Sequence, residues 1–260
     1  MCRWAAYTGQ SIYLEQLIAE PEHSLIHQSL HAEEAKTETN GDGFGIGWYS
    51  DREYPGLYRE VLPAWNDENL RHLSRHISSS LFFAHVRAST GTATNRTNCH
   101  PFSNDQWLFM HNGQIGGYKR VRRKLESLLP DSLYENRLGT TDSELIFLLA
   151  VHFDIEKCPI TAMSKALSIT VQAMHEAGIK QPLRFTSCLS DGETIYGFRS
   201  STDLTPPTLY YRQKDNGDTI LVSEPLDRQS DYWQIVPSHH VLIASKNGCE
   251  VRPFSIATHE

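Results

Sequence analysis

The order in which strand and helix patterns follow one another constrains the fold of this 260-residue chain most strongly. Short apolar strand patterns come first and helical patterns cluster in the middle. From Leu183 onward, strands alternate with turn signals, including "DG" at 191–192 and "NG" at 247–248. A regular strand–helix alternation would build a parallel sheet, so this order favours an α+β fold with antiparallel hairpins. Two such sheets, packed on each other and covered by helices, would form a four-layer αββα sandwich.

Length and composition limit the classes of protein to which the chain can belong. Its residues, 39% hydrophobic and 21% charged, fit one globular domain, which we assign to residues 2–260. The net charge of −7 argues against a nucleic-acid partner. No apolar run reaches the length of about 18 residues that spans a membrane, and no signal peptide is recognisable. Five scattered cysteines, an odd number, favour reduced thiols and a cytoplasmic location.

A cysteine directly behind the initiator methionine raises the first chemical question. Cys2 is either a chance occupant of the terminus or a nucleophile. Aminopeptidases remove Met1 when the next residue is small, which would leave Cys2 with a free α-amino group beside its own thiol. The pKa of an α-amine is about 7.7–8.0 and that of a thiol about 8.5, so moving the proton from thiol to amine costs only about 1 kcal/mol. One residue would then supply both nucleophile and base.

Two strand ends carry polar residues that allow more than one interpretation. "AHVRAST" places Arg87 at the end of the apolar strand 81–87, where a guanidinium needs either an internal carboxylate or that of a substrate. "HNGQI" ends another strand in Asn112-Gly113. This pair forms either a type I′ turn or an oxyanion hole, made of the Asn112 side-chain amide and the Gly113 backbone N–H. The residues alone leave both alternatives open.

Two further motifs have both a structural and a functional interpretation. The glycines of "NGDGFGIGWY" alternate at period two, unlike a phosphate-binding loop. On a strand, these glycines would leave one face without side chains. Such a face either packs tightly against another sheet or lines a ligand-binding site. In "TTDSEL", Thr141 and Glu144 predict a capping box, and Asp142 either complements the helix dipole or receives a substrate ammonium. The 13 histidines show no metal-ligand spacing, so we expect no metal ion and no cofactor.

The order of these motifs is more specific than any one of them. Cys2, "DGFGIGWY", "AHVRAST", "NCHPF", "HNGQI" and "TTDSELI" follow one another as in class II glutamine amidotransferases, and residues 2–150 resemble that family of N-terminal-nucleophile (Ntn) hydrolases. The "MCRW" start is most similar to the stand-alone branch, which includes YafJ-type amidotransferases and γ-glutamyl hydrolases of small-thiol metabolism. The resemblance implies the Ntn-hydrolase fold, an αββα sandwich of two mainly antiparallel sheets.

The resemblance also implies roles for individual residues. Cys2 would be the nucleophile and its amine the base, with Asn112 and Gly113 forming the oxyanion hole. The substrate-binding residues would be Arg87 for the α-carboxylate of a γ-glutamyl group, Asp142 for its α-ammonium, and Thr90. Gly91 stands where the synthase branch carries histidine.

The expected activity is hydrolysis of a γ-glutamyl amide, either glutamine or a larger γ-glutamyl compound, through a γ-glutamyl thioester on Cys2. The expected partner is this small-molecule substrate, with a separate acceptor enzyme for the released ammonia as a further possibility, because the chain leaves no room for a synthase domain. The alternative is a non-catalytic module on the same fold that senses glutamine-like ligands. The sequence does not identify the leaving group or the oligomeric state.

Overall fold

The computed structural model describes residues 2–34, 39–88, 93–203 and 205–256. Within these ranges the strands are β1 (Arg3–Tyr13), β2 (Phe44–Trp48), β3 (Gly56–Glu60), β4 (Ser78–Val86), β5 (Phe102–Asn104), β6 (Trp107–Ile115), β7 (Leu183–Ser190), β8 (Thr194–Ser201), β9 (Tyr210–Gln213), β10 (Thr219–Val222), β11 (Gln234–Ile235), β12 (His240–Ser245) and β13 (Gly248–Pro253). The α-helices are α1 (Glu15–Ile18), α2 (Leu25–Leu30), α3 (Glu68–His76), α4 (Tyr118–Glu126), α5 (Asp131–Glu135), α6 (Asp142–His152) and α7 (Pro159–Glu176). Short 3-10 turns occupy Ala64–Asn66, Arg96–Asn98 and Ser230–Tyr232.

The strands form two sheets. The first has seven strands in the order β11-β9-β10-β1-β4-β2-β3, and the second has six in the order β13-β12-β8-β7-β6-β5. Each pairing within them is antiparallel. The predicted α+β class with two antiparallel sheets is therefore confirmed.

Three apolar clusters show how the layers stack. Leu17 of α1, Leu25 of α2 and Leu70 of α3 pack with the outer face of the first sheet. Residues of α4, α6 and α7 cover the outer face of the second sheet, with Phe147 as a central member. A third cluster, which includes Phe83, fills the space between the two sheets. The order helix, sheet, sheet, helix is the predicted four-layer sandwich.

Strand β1 illustrates how the sequence produces a central strand of this sandwich. Successive side chains point to opposite faces of a sheet. Trp4 and Ala6 accordingly join the cluster between the sheets, whereas Ala5 and Tyr7 join the cluster under the helices. Because both faces are covered, residues 4–7 of β1 are continuously apolar rather than alternating.

The glycine repeat serves sheet packing. Only Gly45 and Gly47 lie within β2, and the other two glycines of the repeat precede the strand. A Cβ atom at Gly45 would overlap the carbonyl oxygen of His100, and one at Gly47 would press against the Pro101 ring. The bare face therefore admits the second sheet at close range, which supports the packing interpretation.

Both hairpin signals are confirmed. Gly192, with φ +98°, lies in the turn between β7 and β8, and Gly248, with φ +117°, opens β13 after the turn from β12. No helix in the described part of the chain is long and apolar enough to cross a membrane. The assignment of a single domain over residues 2–260 stays a prediction.

Candidate active site

The pairing of β1 with β4 brings Cys2 to the end of β4. Arg3 pairs with Val86, so the next pair outward is Cys2 and Arg87. The half-buried thiol accepts the Ala88 N–H at 3.4 Å and lies 3.5 Å from the Ala88 carbonyl oxygen. These contacts fix the Cys2 sulfur beside the end of β4, which Arg87 directly follows.

The electrostatic surroundings of Cys2 act in opposite directions on its thiol. Burial raises the pKa of Cys2 above its ordinary value. The N–H donated by Ala88 and the positive charges of Arg87 and Arg3 lower the pKa and oppose this effect. Burial is the largest of these influences, so the thiol needs a proton acceptor to react at neutral pH.

Arg87 is 3% exposed and is held by backbone carbonyl groups. Its Nη1 donates to the Asp42 carbonyl oxygen at 3.2 Å and its Nη2 to the Ala93 carbonyl oxygen at 3.3 Å. The backbone N–H of Arg87 donates to the Gly43 carbonyl oxygen at 2.8 Å. A guanidinium fixed in this way presents its N–H fork in one orientation, as bidentate recognition of a carboxylate requires.

Asn112 and Gly113 lie inside β6, opposite Thr186 and Phe185 of β7. The turn interpretation of this pair is therefore wrong. The buried Asn112 Nδ2 donates to the Cys2 carbonyl oxygen at 2.8 Å, which ties the chain start to the second sheet. A carboxamide carries two N–H donors, so one remains for an oxyanion.

Gly113 is required by the backbone at its position. Its φ of +145° is one that L side chains rarely adopt, and a Cβ atom there would overlap the Arg184 carbonyl oxygen. Glycine thus permits the backbone at the Asn112-Gly113 corner to run close to β7.

Asp142 connects the first turn of α6 to the end of β6. Its Oδ2 accepts the Ile115 N–H at 2.8 Å and its Oδ1 the Ser143 N–H at 2.9 Å. The Thr141 hydroxyl caps the helix by accepting the Glu144 N–H at 3.2 Å. Glu144 accepts N–H groups of the preceding loop instead of completing the predicted capping box. The half-buried Asp142 carboxylate therefore has a fixed position. Each of its oxygens has two lone-pair sites, so the carboxylate can accept a further hydrogen bond.

Two buried polar pairs near Cys2 are not predictable from the motifs of the sequence. Arg3 Nε lies 3.0 Å from Glu224 Oε2, with both side chains almost fully buried. The rings of His85 and His100 pack with their centroids 4.2 Å apart and their planes tilted by 31°. Burial lowers the pKa of His85 to about 3 and the pKa of His100 far below its ordinary value. The motif "NCHPF" contains His100, but nothing in the sequence identifies His85 as its neighbour.

The structure thus brings Cys2, Arg87 and Asn112 together directly and attaches Asp142 through β6. Thr90 lies outside the described residues. No three His, Cys, Asp or Glu side chains are grouped to hold a metal ion in the ranges that the structure describes.

Comparison with known proteins defines the family. The family model for class-II glutamine amidotransferases matches residues 18–212. The chain belongs to this family, and the resemblance read from the motif order is confirmed.

Relatives and a solved structure extend the match to the whole chain. DUG3 of Saccharomyces cerevisiae, named a probable glutamine amidotransferase, is 32% identical to this chain over an alignment of 300 residues. The alignment covers 97% of this chain and 84% of the yeast protein. The gamma-glutamyl-hercynylcysteine sulfoxide hydrolase of Mycolicibacterium smegmatis is 26% identical over 93% of this chain and 95% of its own length. A glutamine aminotransferase class-II domain protein from Silicibacter pomeroyi has a TM-score of 0.78 and 35% identity, covering 98% of this chain and 100% of that one. These relatives support an enzyme of the stand-alone, γ-glutamyl hydrolase branch.

Proposed function

We propose that this protein hydrolyses γ-glutamyl amides, with Cys2 as an N-terminal nucleophile once Met1 has been removed. The observation that carries the proposal is the double attachment of Cys2. Its thiol binds Ala88, next to Arg87, while its carbonyl group accepts the Asn112 amide at 2.8 Å. The proposed nucleophile Cys2, the Arg87 guanidinium and the Asn112 amide donor therefore lie close together between the two sheets.

The chemistry follows from these groups. The freed α-amine of Cys2 takes the thiol proton, and the thiolate attacks the γ-carbonyl carbon of the substrate. The second Asn112 N–H and the Gly113 N–H stabilise the oxyanion. The C–N bond then breaks, the amine leaves with the proton held by the Cys2 ammonium, and a γ-glutamyl thioester remains. Water, deprotonated by the same amine, hydrolyses the thioester to glutamate and restores the thiol.

The charges of Arg87 and Asp142 are complementary to those on the α-carbon substituents of a γ-glutamyl group. Arg87 would bind the α-carboxylate and Asp142 the α-ammonium, two charges on one carbon atom. The leaving group is either ammonia, as for glutamine, or a larger amine, as the name of the mycobacterial relative indicates for that protein. Ammonia would pass to a separate acceptor enzyme or be released. Thr90 as a substrate contact and a cytoplasmic location remain parts of the proposal.

A panel of γ-glutamyl compounds tests the proposal. The protein, with Met1 removal verified by intact mass, is expected to release glutamate from glutamine or from a γ-glutamyl dipeptide. Cys2→Ala is expected to abolish release, whereas Cys158→Ala, at an exposed thiol, leaves it unchanged. Binding of these compounds without glutamate release by the wild type would instead establish the ligand-sensing alternative.

A further inference from the structure

Asn98 occupies an unusual place among the polar residues around the site. It is fully buried, with 0% exposure, and its side chain bonds to two separate loops. Its Nδ2 donates to the Ala93 carbonyl oxygen at 2.8 Å and to Thr140 Oγ1 at 3.2 Å. Its Oδ1 accepts the Thr140 N–H at 2.8 Å. A buried carboxamide with partners on both sides fixes those loops relative to each other.

The first of these loops orients Arg87. The Ala93 carbonyl oxygen that accepts from Asn98 also accepts from Arg87 Nη2 at 3.3 Å. Asn98 therefore contacts the same oxygen atom that fixes one arm of the guanidinium. Movement of Ala93 would change the direction in which Arg87 presents its donors.

The second loop leads into α6 and Asp142. Thr140 stands two residues before Asp142, and the loop before it has little room to shift. A Cβ atom at Gly139 would lie 2.6 Å from the Thr97 carbonyl oxygen and 2.7 Å from Asn98 Oδ1. Glu144 Oε2 accepts the Gly139 N–H at 2.8 Å and would itself lie 2.8 Å from that Cβ atom.

We propose that Asn98 is a positioning residue that sets the separation between Arg87 and Asp142. This inference rests on the proposed function, in which these two groups bind the α-carboxylate and the α-ammonium of one γ-glutamyl group. Both charges are attached to a single carbon atom, so only one separation satisfies them together. A misplacement of about 1 Å costs on the order of 10²-fold in rate.

The test compares substrates that carry two charged groups with substrates that carry one. The probes are γ-glutamyl anilide, the analogue without the α-ammonium (a glutaryl anilide) and the analogue without the α-carboxylate (a 4-aminobutyryl anilide). In Asn98→Ala, kcat/KM for the γ-glutamyl anilide is expected to fall by about 10²-fold. The values for the two analogues are expected to change little, because each binds to one group only. Thr97→Ala, at a half-buried neighbour on the same turn whose hydroxyl donates to Asn95 Oδ1 at 2.9 Å, serves as the matched control.

Gly139→Ala tests the same spacing from the other side and serves if Asn98→Ala fails to fold. Its added methyl group pushes the loop away from Asn98 and is expected to produce the same selective loss. An equal loss on all three substrates, or no loss on the γ-glutamyl anilide, would overturn the positioning role. If the wild type cleaves none of the three anilides, the proposed function fails and this inference fails with it. The rate of Cys2 alkylation monitors the integrity of the nucleophile in each variant.

Discussion

Two cysteines near Arg87, Cys2 and Cys99, have different surroundings, and the difference bears on the proposed role of Cys2 as the nucleophile. Cys99 is fully buried, its sulfur lies 3.5 Å from the carbonyl oxygens of Glu60 and Asn95, and burial raises its pKa to about 11. Cys2 is half-buried and accepts an N–H from Ala88. Carbonyl acceptors at 3.5 Å favour the neutral thiol at both sulfurs, but Cys2 also accepts the Ala88 N–H, which stabilises a thiolate. This N–H donor distinguishes Cys2 from Cys99.

The largest expected effect is the loss of activity on substitution of Cys2. Cys2→Ser should lower kcat by at least about 10⁴-fold, because loss of a nucleophile removes the covalent route. Cys99→Ser should retain wild-type kcat within a few-fold, since its sulfur takes no part in the reaction. Steady-state glutamate release measures both variants, and equal losses would erase the distinction between the two thiols.

The second prediction concerns Asn112, whose side-chain amide donates to the Cys2 carbonyl oxygen. Asn112→Ala should lower kcat by about 10²–10³-fold, the usual cost of removing one oxyanion-hole donor. Gln114→Ala, at an exposed position two residues further along the same strand, is the matched control and should leave kcat unchanged. An increase in KM at constant kcat would instead assign Asn112 to ground-state binding.

Substitution of the cation near both cysteines should have an intermediate effect. Arg87→Lys keeps the positive charge but loses the bidentate fork, so KM for a γ-glutamyl substrate should rise about 10-fold or more. The pH dependence of Cys2 alkylation should stay close to wild type because the charge is retained. A shift of the alkylation profile with unchanged KM would place the role of Arg87 at the thiol and not at the substrate.

The last prediction concerns the stability of the fold beside Cys99 and not the activity. His100 follows Cys99, and its partner His85 is buried with its pKa lowered to about 3. A histidine held neutral in the folded state stabilises the fold above its unfolded pKa of about 6.5, and this contribution is lost as the pH falls towards the folded value. Between pH 6.5 and pH 5 His85 alone should account for a loss of about 2 kcal/mol.

Denaturant unfolding at a series of pH values measures this loss. His85→Leu should show a shallower decrease in the free energy of unfolding over the same interval than the wild type. Parallel decreases in the two proteins would contradict a neutral, buried His85.

The sequence predicted the architecture better than the site contacts. The apolar start of β1 and the turn glycine Gly192 are local signals, and they identified a strand and a hairpin correctly. The Asn112-Gly113 pair remained ambiguous because its strand conformation depends on β7, about 70 residues further on. The bonds of Asn98 to Thr140 could not be predicted, because they join positions 42 residues apart.

The most direct test of the central claim is the mass of the intact protein, quenched with acid during turnover of a γ-glutamyl substrate. The account predicts a species that lacks Met1 and carries one γ-glutamyl group, located on Cys2 by peptide mapping and absent in Cys2→Ala. Full activity in protein that retains Met1, or a γ-glutamyl group on another residue, would contradict it.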